Sequence, residues 1–127
     1  MKLKAIILAA GKGSRLVEST FGSPKPLIDI NGISLIQRQI NLLKKQKIEK
    51  IIIIRGYKLN EFELENVNYV DDLKFDEHDQ LGSLIAGINE IDEEILIIFG
   101  DILFDEKIIQ QMINSDDEIS VAVDPNW

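Results

Sequence analysis

The sequence has no cysteine, one histidine, three prolines and 6% aromatic residues in a length of 127. Without cysteine, disulfides and thiolate chemistry drop out of consideration. Apolar runs stop at five or six residues, as around Ile51–Ile54, far below the roughly 20 that a membrane-crossing helix requires. The start, Met1-Lys2-Leu3-Lys4, leads straight into a strand pattern with no small-residue cleavage site. A cytoplasmic protein with no membrane partner is therefore expected. Cations are scarce beyond residue 60: residues 61–127 hold two lysines against nineteen acids, for −17, whereas residues 1–60 hold twelve Lys and Arg against three acids, for +9. With a formal total of −8 there is no broad basic face, so nucleic acid is not expected as a partner. A small polyanion held by a few cations of the first half remains compatible. No Pro-, Gly- or Ser-rich linker, internal repeat or low-complexity tract interrupts the chain, and residues 1–127 read as one domain, with a homo-oligomer left open.

What is present is an alternation of strand and helix patterns, the mark of an α/β domain with a mostly parallel sheet. Strands are expected near 4–9, 50–55, 67–70, 95–99 and 118–123. Helices are expected near 34–47, where Leu35, Ile36, Ile40, Leu42 and Leu43 form a stripe, near 81–90 with Leu81, Leu84, Ile85 and Ile88, and near 106–114 with Ile108, Ile109, Met112 and Ile113. Residues 57–66 read as a short helix or turn. Lys44, Lys45, Lys47 and Lys50 read as a solvated helix end, and Asp92-Glu93-Glu94 as a solvated turn.

The first strand, with Ala5, Ile6, Ile7 and Leu8, runs into Ala9-Ala10-Gly11-Lys12-Gly13-Ser14-Arg15-Leu16, and Pro24-Lys25-Pro26-Leu27 follows. A glycine-rich turn with cations at a strand end suits phosphate, because its backbone N–H groups point at one anion. The spacing is not that of a P-loop. Gly11 and Gly13 fit the start of a dinucleotide fingerprint, but Leu16 stands at the third glycine position, and the second strand ends in Arg55-Gly56-Tyr57 with no acid for a ribose. A nicotinamide cofactor is disfavoured, although Arg55 would suit a 2′-phosphate.

The run Leu8 to Leu16, then Pro24-Lys25-Pro26-Leu27 and Asn31-Gly32, resembles the signature of nucleotidyltransferases that activate sugar 1-phosphates, phosphocholine and phosphonates. Three further segments match in order: Arg55-Gly56-Tyr57-Lys58 closing the second strand, Gly82-Ser83-Leu84 opening a helix, and Gly100-Asp101 after Ile95–Phe99. The resemblance implies a Rossmann-like three-layer α/β sandwich of the nucleotide-diphospho-sugar transferase type. It also implies a family domain about twice this length, so that the chain would be truncated to an N-terminal portion.

Nucleotidyl transfer asks the protein chiefly for positioning and charge neutralisation. By resemblance, Leu8, Ala9, Ala10, Gly11, Lys12 and Gly13 would line the nucleotide, and Arg15 would grip the β- and γ-phosphates with its planar fork. The plain alternative for Arg15 is a salt bridge with Glu18. Lys25, between prolines that push Ser23 and Lys25 toward extended backbone, would meet the α-phosphate and the acceptor. Asp101 would be a ligand of Mg2+, which binds through one or two carboxylates plus phosphate oxygens and waters. Asp124, at the end of the expected last strand, is the late carboxylate on the same edge. Gln80, Gly82 and Ser83 would present an amide, open backbone and a hydroxyl to the base. The partners implied are a nucleoside triphosphate and a small phosphorylated acceptor, with a non-catalytic nucleotide-binding module as the alternative.

Cytidine, uridine, thymidine and guanosine nucleotides all stay open. His78-Asp79-Gln80 departs from the asparagine-rich stretch of the phosphonate and choline cytidylyltransferases, and points away from that subfamily. His78, between Glu77 and Asp79, reads as a solvated loop residue. Asp105, before Glu106-Lys107-Ile108, reads as a helix N-cap.

Overall fold

The computed structural model describes residues 3–12, 22–92 and 94–126. Its centre is β1 (Lys4–Ala9), six buried residues in a row, flanked on one side by β4 (Ile51–Arg55) and on the other by β6 (Ile95–Phe99), both parallel to it. β5 (Asn68–Asp71) adds in parallel to β4, giving a four-stranded sheet in the order β5-β4-β1-β6. A strand paired on both edges and covered on both faces has no polar side, which is why β1 and β4 read as continuous apolar runs rather than as alternation.

Alternate residues of these strands feed two cores. On one face Ala5, Ile7, Ala9, Ile51, Ile53, Leu96 and Ile98 pack against Ile36, Ile40 and Leu43 of α1 (Leu35–Lys45) and Ile109 of α3 (Glu106–Ile113). On the other, Ile6, Leu8, Ala10, Ile52 and Ile54 meet Val70, Phe75 and Leu84, the last from α2 (Gln80–Ala86). The three layers expected from the resemblance are therefore present. α1 starts where the Ser34 hydroxyl accepts from the N–H of Gln37 at 3.2 Å and ends with Lys44 and Lys45 near the negative end of its dipole. Lys45 and Gln46 also reach Glu106 at 2.7 and 2.8 Å, joining α1 to α3, while Lys45, Lys47 and Lys50 stay exposed as expected.

Several expectations are corrected. Residues 118–123 form no strand; Ile119, Val121 and Val123 are exposed, their alternation lacking a partner edge. The helix expected over 81–90 is α2 followed by a single 3-10 turn, Ile88–Glu90. A small antiparallel hairpin, β2 (Asp29–Ile30) with β3 (Ile33–Ser34), precedes α1. Asp92 is not a free turn acid: it pairs at 2.7 Å with Lys4, whose buried ammonium also donates to the Glu90 carbonyl at 2.8 Å. The Asp92 hydrogen bond holds the Lys4 ammonium above its ordinary pKa despite desolvation. The short turn expected within 57–66 is the 3-10 helix Leu59–Glu61, and Asp105 caps α3 by accepting from Ile108 N–H at 3.1 Å.

α2 is short, and part of the sheet face that it covers stays open: Ile97 and Phe99 of β6 and Leu81, Ile85 and Ile88 on or just after α2 are exposed. No helix among the described residues is long and apolar enough to cross a membrane.

Because Ile53 is fully buried between β1 and α1, Ile53→Ala is expected to lower stability by about 2–5 kcal/mol. Urea unfolding measures it, and a loss below about 1 kcal/mol would contradict close packing there.

Candidate functional site

The parallel strands end at one edge, and that edge is tight. Gly100 donates its N–H to the Leu8 carbonyl at 2.9 Å, and Tyr57 donates to the Ala10 carbonyl at 2.9 Å. A Cβ on Gly100 would lie 3.0 Å from the Leu8 oxygen and 3.1 Å from Pro26 Cγ; one on Gly56 would lie 2.7 Å from Phe75 Cβ and 2.8 Å from the Asp72 oxygen. These two glycines are therefore required by close approach. The side chains of Leu8, Ala9 and Ala10 are buried in the two cores, so any contact from them to a nucleotide runs through backbone. Beyond them Gly11 and Lys12 are exposed, and among the described residues a Cβ on Gly11 would meet nothing within 4 Å. Gly13 and Arg15 lie outside the described residues.

Opposite this loop, Lys25 Nζ stands 3.4 Å from Asp101 Oδ2, with the two side chains 27% and 34% exposed. Residues seventy-six positions apart thus meet at one edge. Lys25 is not extended as its flanking prolines suggested: it begins the 3-10 turn Lys25–Leu27, closed by Leu27 N–H to Pro24 O at 2.9 Å and Ile28 N–H to Lys25 O at 3.1 Å. Two turn hydrogen bonds outweigh the pre-proline preference. Pro26 then packs over Gly100, bringing the lysine to the acid. The Tyr57 hydroxyl donates to Gly22 O at 2.9 Å, tying the segment before Pro24 to the end of β4.

Arg55 is held by neighbouring groups. Its Nε lies 2.6 Å from Asp71, its guanidinium stacks 4.0 Å from the Tyr69 ring centroid and Nη1 donates to Leu59 O at 3.3 Å. A guanidinium so occupied is poorly placed to take a 2′-phosphate, which removes the main support for a dinucleotide reading.

The α2 side holds residues that the sequence did not single out. Asp72, buried directly after β5, accepts from Ser83 Oγ at 2.8 Å and Lys74 N–H at 3.2 Å, and meets His78 Nε2 at 2.6 Å. Burial pushes the Asp72 carboxyl up, but the hydrogen bonds from His78, Ser83 and Lys74 outweigh it and leave the group below its ordinary pKa. His78 is thus exposed as expected, and is also a partner of a buried acid. Ser83, expected to offer its hydroxyl to a base, is turned inward instead. The side of Gly82 where a Cβ would stand is filled by the His78 ring, its Cγ 2.2 Å from that point. Gln80 is exposed as the first residue of α2, which Asp79 caps by accepting from Leu81 N–H at 3.1 Å.

Asp124 lies in an exposed turn, accepting from Asn126 N–H at 2.9 Å, because the strand that would have carried it to the edge does not form. Among the described residues no three His, Asp or Glu side chains gather around one point. A single exposed carboxylate at a strand end fits a magnesium ion that takes its other ligands from nucleotide phosphates and water.

Asp72 has a depressed folded-state pKa, so its ionised form stabilises the fold above the unfolded-state value of about 4 and loses this contribution as pH falls through the folded value. Asp72→Asn is expected to lower stability at pH 7 by about 1–3 kcal/mol. The gap from wild type should narrow below about pH 4, as followed by urea unfolding across pH. A gap unchanged from pH 7 to 3 would show that the charge is not what matters.

With this geometry in place, three similarities are informative. The chain is 28% identical over 138 residues to the CTP:phosphoglutamine cytidylyltransferase of Campylobacter jejuni, covering 98% of this chain and 54% of that protein. It is 46% identical over 67 residues to the choline-phosphate cytidylyltransferase of Streptococcus pneumoniae, covering 53% of this chain and 29% of that one. The solved CTP:phosphocholine cytidylyltransferase of the same species superposes with a TM-score of 0.74 at 37% identity, over 80% of this chain and 46% of that structure. Similarity to choline cytidylyltransferases is thus present alongside the departure read at His78-Asp79-Gln80. The chain spans about half the length or less of each of these proteins. Residues 5–126 match the MobA-like NTP transferase domain, and the chain belongs to that family of nucleotidyltransferases.

Proposed function

We propose that this chain forms the nucleotide-handling part of a cytidylyltransferase that moves CMP from CTP to the phosphate of a small molecule. The observation that carries the reading is the convergence of Lys25 and Asp101, 3.4 Å apart, at the strand edge where β1 runs on to the exposed Gly11 and Lys12. Cytidine is favoured over the other bases because similar proteins are named for CTP and for phosphorylated acceptors.

In this reading an ionised acceptor oxygen attacks the α-phosphorus, the bond from that phosphorus to the bridging oxygen breaks, and its electron pair leaves with pyrophosphate. No general base is required, since the acceptor phosphate is already an anion. The backbone at Ala10, Gly11 and Lys12 would face the triphosphate, and Arg15 would hold its β- and γ-oxygens. Lys25 would lie between the α-phosphate and the acceptor, lowering the repulsion of two anions and meeting the charge that develops on the phosphoryl oxygens. Asp101 would hold Mg2+, which when bound neutralises triphosphate charge. Displacing the long Lys25–Asp101 contact frees each group for its own ligand; a partly exposed pair contributes only about 0–1 kcal/mol.

Incubation with Mg2+, each of CTP, UTP, dTTP and GTP, and a panel of phosphocholine and sugar 1-phosphates is expected to release pyrophosphate with CTP. Lys25→Ala and Asp101→Ala should each lower that rate about 100-fold or more while the proteins stay folded by circular dichroism. CTP binding without pyrophosphate from any acceptor would make the chain a binding module. Preference for another triphosphate would sink the cytidylyl assignment.

A further inference from the structure

Gln39 sits at the middle of α1 and is only 2% exposed. Its Nε2 donates to two carbonyls of another element, Phe99 O at 3.0 Å and Ile102 O at 2.8 Å. Those carbonyls bracket Gly100 and Asp101, so one amide spans the turn that carries the acid. The orientation of the amide is set by these partners, because the reverse would press its oxygen against two carbonyl oxygens. Its own Oε1 is left buried without a hydrogen-bond partner among the described residues. An unsatisfied buried acceptor is destabilising by about 1–3 kcal/mol, and an apolar side chain would avoid it on a helix face otherwise filled by Ile36, Ile40 and Leu43.

The same turn is held on its other side by β1, through Gly100 N–H to Leu8 O, and from above by Pro26. With strand, proline and glutamine in place, the backbone on either side of Asp101 is tied down while its carboxylate stays partly exposed beside Lys25. We propose that Gln39 is a positioning residue for Asp101, holding the turn so that its carboxylate meets a divalent cation carried by the nucleotide. This rests on the reading of Asp101 as the metal-binding acid.

The test uses Mn2+ with CTP on the whole chain, with free Mn2+ followed by electron paramagnetic resonance. Gln39→Met keeps the volume and removes the donor; it is expected to weaken Mn2+ binding in the presence of CTP about 10-fold or more, with little change in metal-free CTP affinity. In an Asp101→Asn background the same substitution should have no further effect on Mn2+, since a residue acting through Asp101 is non-additive with it. Should Gln39→Met not fold, Gln39→Asn, which retains an amide but is one methylene too short to reach both carbonyls, is scored in the same way. Wild-type Mn2+ affinity in the Gln39 variant, where Asp101→Asn has lost it, overturns the positioning role alone. Unchanged Mn2+ affinity in Asp101→Asn overturns the reading of Asp101 and the positioning role with it. Parallel loss of Mn2+ and metal-free CTP affinity would assign Gln39 to general structure and overturn the proposal.

Discussion

The end of β1 sets how closely the neighbouring chains can approach, and the site depends on that distance. Leu8 and Ala10 offer their carbonyls outward along the strand plane, one to Gly100 and the other to Tyr57, while their side chains fill the core beneath. Both contacts need bare α-carbons nearby, and the space at Gly56 and Gly100 shows how little room remains. A methyl group at either would have to push β4 or β6 outward, carrying Asp72 or Asp101 with it. The parallel sheet is thus both scaffold and gauge for the loops that leave its carboxyl edge.

Two acidic groups on this edge do opposite kinds of work because their surroundings differ. Asp72 is buried, saturated by three hydrogen-bond donors and held at a lowered pKa; such a group resists rearrangement, since exposing or unpairing it is costly. Asp101 is exposed, and among the described residues its side-chain partner is a distant lysine at 3.4 Å. A weak pair in reach of solvent is easily exchanged for stronger ligands. The first therefore orders the start of α2, and the second stays within reach of solvent, although nothing in their residue type distinguishes them.

β1 and β4 were legible because burial on both faces leaves an apolar run, and α1 and α3 because each carries one apolar stripe with an oxygen cap. Residues 118–123 misled for the complementary reason: alternation describes what a strand's side chains could do, whereas a strand also requires an edge to bond to. Lys25 and Asp101 were legible as members of motifs that the family resemblance supplied. Asp72, His78 and Gln39 were not, because each acts through partners 6 to 63 positions away, a separation that no local pattern encodes. Ser83 was placed in the right turn but with its hydroxyl facing the wrong way, since the buried carboxylate that attracts it lies eleven residues upstream.

An acidic protein that handles a polyanion looks contradictory only if charge is counted over the whole chain. In physiological salt an exposed charge is felt over about 8 Å, so the relevant count is local. Near the end of β1 stand Lys12, Lys25 and Lys58, the last with its ammonium 3.1 Å from where a Cβ on Gly22 would lie and 5.6 Å from the Tyr57 ring. Arg55 spends its charge on Asp71 and contributes little beyond it. Four acids of the later half, Glu94, Asp116, Asp117 and Glu118, line a separate cleft with Leu3 and Ile95 at the opposite, amino end of β6. Cations thus stand near the end of β1, and one group of carboxylates stands apart from them where β6 begins. Of the acids at the carboxyl edge, Asp71 is paired with Arg55 and Asp72 with His78 and Ser83, whereas Asp101 meets Lys25 only at 3.4 Å, and a bound cation would be its stronger partner.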